Sequence, residues 1–352
     1  MLPKERVFAA LDHREADRIP YTDNPWDTTL ERWKNEGFPE NADPADYFGF
    51  ELVGFKPDTS LRLPERIIEE TDEYIILTDH WGITKKDWKH KTSTPELIDF
   101  SLTTLEKWKE LKPRLSFSPD RIDLERDRSR LEKARKGGKY IQFCAAIGYD
   151  KFSSVIGPLT ILPALITDPG WISDMFSTHI DLVLQLAEEM FGMGYGFDGA
   201  FVFDDLGYKN GVFFSPAVYR EVLMPHHKRL CDFFHARKCK VILHSCGNVK
   251  EHIPGLIEAG FDCLQALEVK AGMDLVELKK EYGDLLSFMG GIDVRKMADP
   301  NPEAIEQEIR TKIPVAKKGG GYIYHSDHSI PDNVSLEQFK RVLELVMKYG
   351  SY

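Results

Sequence analysis

Nowhere in this chain do apolar residues run unbroken for the roughly 20 positions that a helix needs to cross a bilayer, so no membrane span is expected. The opening stretch MLPKERVFAALDHREADRIP has neither the apolar core nor the small-residue cleavage site of a secretion signal, and a cytoplasmic location is expected. Cysteine is scarce: Cys144, Cys231, Cys239, Cys246 and Cys263 form no CxxC pair and are odd in number. That pattern speaks against a disulfide framework and leaves reduced thiols, core residues or ligands. Positive charge is in short supply too. A formal net charge of −11 argues against nucleic acid as a partner, because a phosphate backbone needs a basic face. A basic run, Lys85-Lys86-Asp87-Trp88-Lys89-His90-Lys91, reads as a solvated loop. Also missing are a GxxxxGK[ST] loop, a strand-linked GxGxxG and a GxSxG elbow. Gly319-Gly320-Gly321 stands before a strand instead of after one and reads as a turn.

What is present is 352 residues of ordinary globular composition, enough for one large α/β barrel with insertions or for two average domains. No repeat, low-complexity tract or Pro/Ser-rich linker divides them, so residues 1–352 are read as a single domain. Short β-branched or apolar runs alternate with longer helical patterns, the signature of βα units around a parallel sheet. The spacing predicts strands at 140–145, 199–203, 240–244, 263–267, 286–290 and 321–324, with weaker candidates near 19–22, 51–55 and 73–78. Ser215-Pro216 predicts a helix start ahead of an amphipathic stretch through Phe234. Ser335-Leu336-Glu337-Gln338 has capping-box spacing before a final helix that ends near Gly350. The segment 82–138 is charge-rich with weak strand character and reads as an insertion near the barrel mouth.

In parallel barrels the chemistry sits where strands end, and the residues there are rich in metal-capable groups. Asp204 and Asp205 follow Phe203, His244 and Cys246 follow Leu243, and Glu268 follows Leu267. Asp293 follows Gly290–Ile292, and His325, Asp327 and His328 follow Tyr324. A strand's period of two puts His244 and Cys246 on one face, with Gly247 permitting the turn after them. Imidazole and thiolate together suit zinc, which needs a third ligand from elsewhere. The alternative is a core histidine beside a buried thiol. His328 is a candidate third ligand, although it or His325 would serve equally well hydrogen-bonding a loop. Paired Asp204-Asp205 offers an acid, a base, a ligand or a cap for the turn that follows, and adjacent positions should face opposite ways. Glu268 is a fourth ligand, a partner orienting a zinc-bound imidazole, or one half of an ion pair with Lys270.

An ordered set of short motifs then appears: Arg6-Val7-Phe8-Ala9-Ala10-Leu11-Asp12-His13 with Asp17-Arg18-Ile19-Pro20, Gly157-Pro158-Leu159-Thr160, Ser215-Pro216, His244-Ser245-Cys246-Gly247 and Gly290-Gly291-Ile292-Asp293. Together they resemble the uroporphyrinogen decarboxylase superfamily. The resemblance implies a (β/α)8 TIM barrel, here with an N-terminal extension and the inserted charged segment. The decarboxylases carry an arginine-rich RQAGRY-type stretch for substrate carboxylates, where this chain has Tyr21-Thr22-Asp23-Asn24-Pro25-Trp26. The zinc-dependent, corrinoid-linked methyltransferase branch is closer. It writes its metal site as His-X-Cys followed much later by Cys, and His328 stands at the last of these positions, two residues before Ile330-Pro331. Asp204–Asn210 with His325–His328 resembles the subgroup that hands a methyl group from an aryl methyl ether to the cob(I)alamin of a separate corrinoid protein.

The resemblance therefore implies zinc on His244, Cys246 and His328 with Glu268 nearby, and proton handling by Asp204, Asp205 or Asp327. It also implies a methoxylated substrate packed by Trp26, Tyr149, Phe152 and His325, cobalamin on the partner, and a possible homodimer. A methylcobalamin-to-thiol methyltransferase, a metal-free decarboxylase-like lyase and a non-catalytic metal- or corrinoid-binding protein are the rival readings.

Overall fold

The computed structural model describes residues 1–352. Its centre is a curled parallel sheet whose strands follow one another in space as β1 (Leu52–Phe55), β6 (Tyr140–Ala146), β7 (Gly199–Phe203), β10 (Lys240–Ser245), β11 (Cys263–Ala266), β12 (Ser287–Gly290) and β13 (Tyr322–Ile323). Helices connect consecutive strands, as parallel pairing requires. The predicted strands are present within a residue or two of their expected ends, except 19–22, which forms isolated bridges at Arg18 and Tyr21 and no strand. The two sheet edges are tied by a short N-terminal segment: Tyr324 N–H donates to Pro20, Thr22 N–H to Tyr324, and Glu51 N–H to Tyr21, at 2.9, 3.1 and 3.1 Å. The architecture is TIM-barrel-like, and no helix is long and apolar enough to cross a membrane.

The concave face is layered. At the N-terminal ends of the strands each contributes one inward side chain: Leu52, Tyr140, Phe201, Ile242, Cys263, Met289 and Ile323 form one buried cluster. Val7, Ala10 and Leu11 of the helix Pro3–Leu11 complete it, closing that end. Two residues further along, the inward positions become Gln142, Phe203, His244 and Gln265, so one end of the space is dry and the other polar.

The segment 82–138 departs from expectation. A four-stranded antiparallel sheet begins before it, with β2 (Arg66–Glu70), β3 (Tyr74–Thr78), β4 (Ile83–Trp88) and β5 (Glu96–Phe100). The run Lys85–Trp88, read as loop, lies in β4. Strand character was hard to see because no face of this sheet is deeply buried, so its sequence does not alternate. Cross-strand pairs hold it instead: Tyr74 meets Trp88 at 5.8 Å between rings, and Thr78 bonds Thr84 at 2.9 Å. Its β3–β4 turn plants Trp81 against Phe152 and His179 of the barrel helices. Later in the same segment, the helix Leu124–Lys136 is the crossover from β1 to β6.

A two-residue hairpin, β8 (Gly207–Tyr208) with β9 (Gly211–Val212), follows β7. The helix expected from Ser215 is capped by its hydroxyl, but it passes through a π turn at Tyr219–Leu223 before continuing as Met224–His235. Pro225 has no amide to give to Glu221, and the wider turn accommodates that gap. The final helix, Leu336–Gly350, has the predicted capping box.

Glu51, only 1% exposed, closes the junction between the N-terminal segment and β1. It accepts from Arg6 at 2.8 Å, from Arg18 at 2.9 and 3.1 Å, and from Tyr21 N–H at 3.0 Å. Replacing it with alanine removes the carboxylate shared by two guanidinium groups and one buried amide, leaving Arg6 with Asp17 alone and Arg18 with the Ile19 carbonyl. Glu51→Ala should cost about 3 kcal/mol and lower the melting temperature by roughly 5 °C in a thermal scan.

Candidate metal centre

The polar end of the concave face opens into a cavity of about 720 Å³, within the size range of small-molecule sites. His244, Cys246, Gln265, His325 and His328 line it, with Phe201, Phe203 and Met289 as its apolar floor. It sits at the C-terminal ends of the strands, where barrel enzymes do their chemistry.

His244, on β10, and Cys246, just beyond it, point the same way. Cys246 Sγ lies 3.4 Å from His244 Nε2, and Asp205 Oδ1 lies 3.5 Å from the same nitrogen. One ligand atom from each of the three residues falls within 4.8 Å of the others. Zinc bonds of ~2.3 Å to sulfur and ~2.0 Å to nitrogen or oxygen, set at the tetrahedral angle, hold ligand atoms about 3.5 Å apart. The observed separations match that requirement. The donor set of imidazole, thiol and carboxylate leaves a fourth position to the cavity, as catalytic zinc sites do.

The supporting contacts are directional. Gln265 Oε1 accepts from His244 Nδ1, which turns the Nε2 lone pair toward Cys246 and Asp205. Asp205 Oδ1 accepts from Cys246 N–H at 2.7 Å, tying the end of β7 to the end of β10. Burial together with the carboxylates of Asp205, Glu268 and Asp150 pushes the free Cys246 thiol well above its usual range. A cation there would relieve that surplus of negative charge.

The other candidates have different stations. Asp204 faces away from the cavity and is fully buried; it accepts from Asp150 N–H at 2.7 Å and meets His227 at 2.9 Å. Burial raises the Asp204 carboxyl above its usual range and lowers the His227 imidazole below its own. Tyr219 continues the chain through His227 Nδ1 at 3.0 Å. Asp327 accepts from Val269 and Val294 N–H groups, each at 2.9 Å, and so pins two loops. Glu268 accepts from Gly247 N–H and pairs with Lys270, both at 2.8 Å, holding the turn beyond Cys246.

His328 lies on the cavity wall with its ring edge-on to Trp26 at 5.4 Å, outside the three-residue group. His325 is buried, and its Nδ1 donates to the Ser326 carbonyl at 2.7 Å. Tyr149 and Phe152, expected against the substrate ring, belong to the core: Tyr149 packs on Phe213 and Phe214, and Phe152 on Trp108 and Phe176. They follow β6 on a helix whose apolar face turns to the scaffold. Gln265 and the aromatic floor were not singled out from sequence; counting two residues along each strand from its dry end would have found them.

Residues 100–349 match the family model described as uroporphyrinogen decarboxylase (URO-D). The chain belongs to this family. Among solved structures, a methyltransferase from Methanosarcina mazei superposes with a TM-score of 0.63 at 15% identity, covering 99% of each chain, a likeness of fold. A class V chitininase from Pseudomonas fluorescens Pf-5 matches with a TM-score of 0.45 at 11% identity, covering 93% of this chain and 99% of that one. No curated protein matches the sequence.

If Gln265 orients His244 toward a metal, Gln265→Ala should weaken zinc binding by about tenfold, read by titration against a competing chelator, with the fold intact.

Proposed function

We propose that this member of the URO-D family is a zinc-dependent methyltransferase. It would move a methyl group from a methoxylated aromatic, an aryl methyl ether, to the cob(I)alamin of a separate corrinoid protein. The observation that carries this reading is the group His244, Cys246 and Asp205 at ligand spacing on the edge of a 720 Å³ cavity. A metal-free decarboxylase has no need of a thiol and an imidazole held together there. The scaffold supports the reading as a full (β/α)8 barrel in one domain, since Pro20–Thr22 bonds to both sheet edges and stands where the remaining strand belongs.

In this account His244 and Cys246 are ligands, and Asp205, reached by geometry, takes the third place that the family pattern would give to His328. Zinc, when bound, supplies Lewis acidity against the negative charge gathering on the leaving phenolate. The chain's own residues do the rest. Gln265 fixes the ring of His244, Asp205 fixes the Cys246 backbone, and Phe201, Phe203 and Met289 receive the aromatic ring away from water. In the transfer the O–CH3 bond would break as the partner's cob(I)alamin takes the methyl group, and the phenolate would leave with the bonding pair. The cavity mouth is where the corrinoid protein would dock, because cobalt must come close to the methyl carbon.

The test is methyl transfer from a panel of methoxylated aromatics to cob(I)alamin, followed by the absorbance of methylcobalamin. We expect about one zinc per chain, activity lost on chelation and restored by zinc, and at least a hundredfold less activity in Cys246→Ala. Asp205→Ala should lose zinc while His328→Ala keeps it. Full activity after chelation, or carbon dioxide release from a carboxylated tetrapyrrole without metal, would overturn the proposal in favour of a decarboxylase-like lyase.

A further inference from the structure

The wall of the cavity that faces away from His244 and Cys246 is basic, although the chain as a whole is strongly acidic. Three cations line it: Lys56 directly after β1, and Arg126 and Arg130 on the crossover helix Leu124–Lys136. Arg126 is committed, donating to Asp127 at 2.9 Å, and the second oxygen of Asp127 accepts from Tyr195 at 2.9 Å. Lys56 and Arg130 enter no ion pair and donate no side-chain hydrogen bond. Of the acids beside that helix, Asp46 is taken by Lys133 and by Lys139 at 3.0 Å, and Asp43 caps the helix Pro44–Tyr47. Arg130 is also oriented: its guanidinium lies 5.3 Å from the centre of the Phe55 ring, and Phe55 is 2% exposed at the end of β1. Both charges are felt inside the cavity, where they oppose the burial that pushes the Cys144 thiol up to about 12.

β1 and β10 stand three steps apart in the sheet, about 14 Å along its curve at ~4.8 Å per strand. Long side chains reach back across part of that span, so the free cations and the metal-capable group address opposite ends of one small molecule. The apolar floor of Phe201, Phe203 and Met289 lies between them. Two unpaired cations at one end of a cavity are a site for an anion, and a guanidinium beside an ammonium suits a carboxylate.

Resting on the methyl-transfer reading above, we infer that the substrate is a methoxylated aromatic carboxylate. Its carboxylate meets Lys56 and Arg130, its ring lies on the apolar floor, and its methoxy group points to His244, Cys246 and Asp205. Lys56 and Arg130 are thereby specificity-determining residues that touch the substrate remote from the bond that breaks.

The experiment is isothermal titration of the zinc-supplemented protein with 4-methoxybenzoate and with its neutral counterpart 4-methoxybenzamide. Wild type and the double variant Lys56→Gln/Arg130→Gln are compared, with a thermal melt of each. Wild type should bind the acid at least about tenfold tighter than the amide, as expected for two charge-assisted hydrogen bonds to one carboxylate. The double variant should lose that preference, keep its affinity for the amide and melt with the wild type, since both side chains are exposed. Equal binding of acid and amide by wild type, no binding of either, or a preference that survives in the double variant would overturn the inference. The two proposals fail separately. Acid bound through Lys56 and Arg130 but never demethylated by cob(I)alamin sinks the methyl-transfer reading alone, whereas demethylation of acid and amide with equal kcat/KM sinks the anion site alone.

Discussion

Every second side chain of the seven parallel strands points to the concave side of one curled sheet, and what fills that side depends on height along the strand. Low down, Tyr140, Phe201, Ile242 and Met289 exclude water and make a rigid base. One step higher, the same alternation delivers Phe203, His244 and Gln265 side by side, because the register pairs His244 with both Phe203 and Gln265. The imidazole is therefore held by a neighbour on the adjacent strand, which is more rigid than a loop contact. Cys246 and Asp205 lie at the next step, where strands give way to turns and the cavity begins.

The carboxylates around this centre divide by what they satisfy. Asp327 and Glu268 accept from backbone amides of the loops after β10, β11 and β12, and Asp204 bonds the amide of Asp150 and the ring of His227. Such bonds meet the needs of buried polar groups and stiffen the rim of the cavity. Asp205, half-buried and one residue on from Asp204, faces the ligands instead. The opposite orientation of two adjacent acids is the strand alternation carried one step past the strand's end.

How much of this was readable from sequence follows the same physics. The parallel strands were legible because they are apolar and bounded by turns, and the His-X-Cys spacing was legible because a period of two needs no tertiary knowledge. The antiparallel sheet of β2 to β5 hid behind its charge, since strands with little burial leave no alternation to read. Asp205 as partner to His244 and Cys246 was not separable from His328, because distance across the mouth is set by loops. Gln265 was overlooked because an amide carries no metal signature, although its position on β11 opposite His244 follows from register alone. Tyr149 and Phe152 were placed by residue type, and the amphipathic turn of their helix sent them to the core.

The claim on which the account turns is that zinc binds one sulfur and at least two lighter atoms at this rim. X-ray absorption at the zinc edge of the metal-loaded chain measures that directly. The account predicts one Zn–S distance near ~2.3 Å and two or three Zn–N/O distances near ~2.0 to 2.2 Å, with the sulfur shell gone in Cys246→Ser. A spectrum without sulfur, or one unchanged by that substitution, would contradict it.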